Sequence, residues 1–223
     1  GFQTKTFYCF YQERIDAVNI CPFGTRGSVI ELDGLKVMVP VRSKIDRPPL
    51  FSDLPITKQY WRRTPPPDIT PDNIDSYTDY IIEEFRRRRE GVFFKNKGKV
   101  IYLTGNHYFA LQWCEMYDKG KYMDFREAQL NIFYHLQACI VDTRCLGQVF
   151  VKSRRTGFTY TILSILLNNS TSLRNSLFGM TSKSQKDVEE MFFKFSYMFQ
   201  NLPFFFKPVV KRQEDGKNGL EFA

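Results

Sequence analysis

Apolar and polar positions alternate along this chain with two different periods. The clearest helical signal is Val188, Met191, Phe192, Phe195 and Phe199, spaced i, i+3, i+4, i+7 and i+11, which is one stripe on a helix. Ser184, with Asp187 three residues on, predicts a capped start, and Pro203 predicts the end. Upstream, Thr159 to Leu167 is mostly apolar and reads as a buried helix. Two short apolar runs, Gln148 to Val151 and Leu177 to Met180, read as buried strands. Strand, helix, strand, helix predicts an α/β architecture, a parallel sheet covered by helices.

The earlier part of the chain has a different rhythm. Val29 to Val39 reads as a hairpin around Asp33-Gly34, a strong turn dipeptide. Seven of the 11 prolines then fall between Pro48 and Pro71. Proline fixes φ and removes a donor, so an extended, irregular arm is expected there. A helix from about Ile74 through Phe85 runs into Arg86-Arg87-Arg88-Arg89, where cations suit the negative end of the helix dipole. These arginines are placed to touch phosphate, to pair with nearby carboxylates, or simply to be solvated. A second hairpin is expected from Val92-Phe93-Phe94 and Val100 to Leu103, split by Lys95 to Lys99. Helices through Tyr108 to Met116 and Phe125 to Leu136 follow. Two regions are therefore expected: an irregular N-terminal region with short β-hairpins over residues 1–75, and an α/β region over 76–223.

Composition narrows the class. The 223 residues are 43% hydrophobic and 16% aromatic, which predicts a packed protein rather than a disordered one. Lys and Arg outnumber Asp and Glu by 32 to 24, a net charge of +8, which favours a polyanionic partner or ligand. Cys9, Cys21, Cys114, Cys139 and Cys145 are odd in number and scattered. With only His107 and His135 beside them they lack zinc-site spacing, and reduced thiols in a cytosolic compartment are expected. No apolar run reaches the roughly 18 residues that a membrane span requires.

The chemistry concentrates in Val151-Lys152-Ser153-Arg154-Arg155-Thr156-Gly157-Phe158-Thr159, between an expected strand and an expected helix. That is where a phosphate-binding loop belongs. Against the usual pattern of Gly, four residues, then Gly, Lys and Ser or Thr, Gly157 and Thr159 fit. Lys152 replaces the first Gly and Phe158 the usual Lys. A glycine lets backbone N–H groups approach a phosphate closely. Thr159 offers a hydroxyl to Mg²⁺, and the helix N-terminus adds aligned donors and partial positive charge. Lys152, Arg154 and Arg155 supply three cations in one loop. The plainer alternative is a basic turn with a capping threonine.

Lys152 to Thr159 resembles the deviant Walker A segment of tailed-phage terminase large subunits, some of which place Lys first and an aromatic residue after the Gly. Phe125-Arg126-Glu127-Ala128-Gln129 resembles that family's adenine-recognition segment. The Gln129 amide has both a donor and an acceptor for the base edge, although a glutamine on a helix is ordinarily solvated. Leu177 to Lys183, Leu202 to Pro208 and Gly219 to Phe222 also resemble segments of the family. The resemblance covers Met123 to Ala223 and is strongest to terminases of crAss-like phages.

The resemblance implies a P-loop NTPase-type sheet and ATP and Mg²⁺ as cofactors. It implies that hydrolysis drives double-stranded DNA into a procapsid through a homo-oligomeric ring on the portal protein, together with the small terminase subunit, in the host cell cytoplasm. The ligand-binding set is then Arg126, Gln129, Lys152, Ser153, Arg154, Arg155, Thr156, Gly157, Phe158 and Thr159. Within it Thr159 holds Mg²⁺, Lys152 contacts the β- and γ-phosphates, and Arg154 or Arg155 stabilises the transition state. No apolar strand ending in Asp and Glu follows between residues 160 and 223, and the clustered carboxylates of a nuclease are also missing. The chain is therefore expected to be the first part of an ATPase domain and, alone, inactive. Two alternatives are another P-loop nucleic-acid motor, such as a helicase-like ATPase, and a non-catalytic nucleic-acid-binding virion protein. The resemblance also ranks the loop cations: Lys152→Ala is expected to weaken nucleotide binding more than Arg155→Ala, and equal losses in a titration of the two variants would count against that ranking.

Overall fold

The computed structural model describes residues 27–32, 35–40, 67–96, 99–119, 121–141, 149–151, 157–173, 176–214 and 219–222. Two short strands, β1 (Gly27–Leu32) and β2 (Leu35–Pro40), pair antiparallel with Leu32 opposite Leu35. This is the hairpin that Asp33-Gly34 predicts, and it lies against the later helix Glu127–Val141. A 3-10 turn (Ile74–Tyr77) leads into α1 (Thr78–Glu90). Strands β3 (Val92–Asn96) and β4 (Lys99–Leu103) form the second expected hairpin, with Val92 opposite Leu103. Gly91 makes the reversal between α1 and β3 possible. Its φ is 83°, and a Cβ there would stand 2.0 Å from the Leu103 carbonyl oxygen.

Helix α2 (Gly105–Trp113) starts three residues before the expected Tyr108. The cause is Thr104, whose side chain accepts from the His107 N–H at 3.3 Å and fixes the first turn upstream of the apolar run. The two-residue strands β5 (Glu115–Met116) and β6 (Lys121–Tyr122) flank a 3-10 turn, Tyr117–Lys119. Helix α3 (Glu127–Val141) extends five residues past the expected Leu136. Helices α4 (Phe158–Ser170) and α5 (Gln185–Gln200) follow. At α5 the Ser184 hydroxyl accepts from the Asp187 N–H at 3.3 Å and donates to the Asp187 carboxylate at 2.7 Å, the expected cap. Of its apolar stripe, Phe192, Phe195 and Phe199 are buried. A last hairpin, β7 (Val210–Glu214) with β8 (Gly219–Phe222), is one the hydrophobic pattern does not signal, because β7 is mostly polar.

Among the described residues every sheet is a two-stranded antiparallel ladder. The two runs read as buried strands are not strands there. Residues 149–151 and 176–180 have no ladder partner, and Val149, Val151 and Leu177 are 93%, 98% and 99% exposed. A strand exists only where a neighbour accepts and donates its backbone hydrogen bonds, and among the described residues neither segment meets one. Gln148 lies outside the described residues. Among those residues no helix is long and apolar enough to cross a membrane.

The core gathers Tyr108, Phe109, Leu111 and Trp113 of α2 with Leu163 and Leu167 of α4, Met198 of α5 and Phe206. Helix α1 enters this core with two charged side chains one turn apart, Glu84 at 1% and Arg88 at 3% exposure. The Glu84 carboxylate accepts from Tyr108 Oη at 2.7 Å, from Trp113 Nε1 at 3.1 Å and from Arg87. Burial outweighs these donors and holds its pKa above the ordinary value. The Arg88 guanidinium lies 4.6 Å and 4.9 Å from the Phe206 and Phe109 ring centres. It donates to Asn168 Oδ1 and O, both at 2.9 Å, and to the Thr171 and Ser172 hydroxyls, both at 2.7 Å. A cation among the last carbonyls of α4 also suits the helix dipole.

The rest of the arginine run is neutralised on α1 itself. Arg86 pairs with Glu83 at 2.8 Å and with Glu90, Arg87 pairs with Glu83 and Glu84, and Arg89 pairs with Glu90. The Arg86 hydrogen bond leads the effects that hold Glu83 down at about 2.

His107 is fully buried, its ring stacked 4.2 Å from Phe133 and 5.7 Å from Phe125, and neither ring nitrogen has a hydrogen-bond partner. Desolvation lowers its pKa to about 3. The folded state therefore resists the proton that the unfolded chain takes up near its ordinary value of 6.5. Stability contributed by the neutral ring falls as pH drops from about 6.5 toward 3, by up to about 1.4 kcal/mol per pH unit. His107→Phe keeps the stack and removes that proton. Its acid unfolding midpoint, followed by circular dichroism, is expected to lie at lower pH than that of the unsubstituted chain.

Candidate functional site: the turn into helix α4

Helix α4 begins at Gly157, whose φ of 77° and ψ of 7° place it in the left-handed region. An added Cβ would meet nothing closer than Gln129 Nε2 at 3.5 Å, an ordinary contact. Backbone conformation, not lack of room, is what calls for glycine here. The Thr161 N–H donates to the Gly157 carbonyl at 3.2 Å, closing the first turn, and among the described residues no side chain caps it. Gly157 and Thr159 are exposed. The turn therefore offers a helix N-terminus to solvent with a hydroxyl on its rim. Such a terminus attracts anions through its N–H donors and its dipole.

The structure places the expected residues unequally. Gly157, Phe158 and Thr159 stand together at the start of α4. Lys152, Ser153, Arg154, Arg155 and Thr156 lie outside the described residues. Arg126 is exposed, and its carbonyl accepts from Gln129 N at 3.0 Å at the start of α3. Gln129 is not the solvated glutamine that its helix position would suggest. It is 5% exposed and lies against Gly157 and Thr161, so α3 and α4 meet at the expected loop.

Phe158 stands where the usual pattern has lysine. Its ring packs 5.1 Å from Phe150, which in turn sits 5.7 Å from His135 of α3. Aromatic contacts of this kind anchor the helix start to the segment before the loop. The position thus serves packing, and a phosphate's counter-charge has to come from another residue.

Two participants escape the sequence reading. Thr161, fully buried, donates to the Gly157 carbonyl at 3.4 Å; its signal is a threonine four residues after the glycine. Tyr160 donates to Asp118 at 2.9 Å, and Asp118 pairs with Lys194 of α5 at 3.5 Å, which also holds Glu190 at 2.7 Å. This chain of contacts joins the first turn of α4 to α5. Burial raises the Tyr160 pKa, keeping the phenol protonated as the donor to Asp118. Nothing in the local sequence pairs residues 42 apart.

Among the described residues no group of three or more His, Cys, Asp or Glu is arranged to hold a metal ion. A hard cation such as Mg²⁺ would need phosphate oxygens to complete its shell, with the Thr159 hydroxyl as the protein's contribution.

Gly157→Ala is expected to lose about 1–2 kcal/mol through backbone strain alone. Gly157→Asn is expected to lose less, because asparagine tolerates the left-handed region. Thermal unfolding of the two variants measures the order, and equal stability of the alanine variant and the unsubstituted chain would contradict it. Compared with models of known protein families, with curated proteins and with solved structures, the chain matches none.

Proposed function

We propose that this chain is the nucleotide-binding part of a viral DNA-packaging motor, a terminase large subunit, and that Mg²⁺-ATP binds at the turn into α4. The observation that carries this reading is Gly157, left-handed and exposed, opening a 13-residue helix that no side chain caps among the described residues. The resemblance of residues 152–159 to the family's phosphate loop adds the cations that the turn itself lacks. In this reading the phosphates sit on the N-terminus of α4, and the Thr159 hydroxyl joins phosphate oxygens around Mg²⁺. Lys152, Arg154 and Arg155 neutralise the charge that develops on the transferred phosphoryl group. Positioning and electrostatics supply most of the rate in such chemistry.

The same reading gives the two exposed apolar segments a purpose. Val149 and Val151 before the loop, and Leu177 after α4, carry side chains suited to a covered parallel sheet. Hydrolysis, DNA translocation, ring assembly on a portal and any nuclease step belong to the intact motor and follow from the resemblance. The alternative of a nucleic-acid-binding virion protein loses one of its supports, since Arg86, Arg87 and Arg89 pair with Glu83, Glu84 and Glu90 and Arg88 is buried.

Calorimetric titration with Mg²⁺ and a non-hydrolysable ATP analogue tests the reading, with Gly157→Asn as control. That variant keeps the backbone but sets a side chain where phosphate must approach. Binding weakened at least about tenfold in the variant is expected. Equal binding by both proteins, or none by the unsubstituted chain, would refute the site.

A further inference from the structure

We draw no further inference here: the strongest candidate, the aromatic surface patch where Tyr117 of the 3-10 turn packs edge-on against Phe193 and Tyr197 of α5, carries nothing because no feature of the structure shows what covers it.

Discussion

Burying a guanidinium and a carboxylate one helical turn apart is costly unless each finds a full set of partners, and removing a partner from such a group costs about 3–5 kcal/mol. On α1, Glu84 and Arg88 are both buried, yet neither relies on the other. Glu84 is held by Tyr108 and Trp113 of α2 and by Arg87, and Arg88 by Asn168, Thr171 and Ser172 at the end of α4 through Nε and Nη2, while its buried Nη1 faces the aromatic core without a hydrogen-bond partner. Three helices are thereby fixed in rotation as well as in distance, because hydrogen bonds are directional where apolar contact is not. The position of the Gly157 turn follows, since it is the other end of the helix that Arg88 grips.

The charges of α1 also change what the net +8 means. A sequence count treats four consecutive arginines as a surface feature. In the folded chain one is interior and the others are matched by glutamates three and four residues away, or next in sequence. Pairs of this kind on an exposed helix add only tenths of a kcal/mol each, but they remove much of the field that would draw a polyanion to that helix. Attraction for phosphate has to be sought elsewhere on the chain.

What the sequence made legible was local. The cap at Ser184, the aromatic stripe that follows it and the two hairpins at residues 29–39 and 92–103 are set by neighbours within a few positions. Gly157 and Thr159 were legible for the same reason. The boundary of α2 was misplaced because Thr104 lies outside the apolar run that it caps. The apolar runs Gln148 to Val151 and Leu177 to Met180 have the make-up of strands, but a strand also needs a partner, which composition does not supply. The burial of Glu84, Arg88 and Gln129 was hidden because each depends on groups 24 to 84 positions distant, and polar side chains are by default assigned to solvent.

The two ends of α4 are held by different physics. The C-terminal end is gripped in the core, out of reach of dissolved ions. The N-terminal end is moored to α5 through Tyr160, Asp118, Lys194 and Glu190, and the Asp118 and Glu190 side chains are 50% and 63% exposed. Counter-ions screen exposed pairs strongly and interior ones hardly at all. Raising the ionic strength should therefore slacken the polar mooring at the N-terminal end and leave the other taut, with the aromatic contact of Phe158 on Phe150 then carrying the glycine turn.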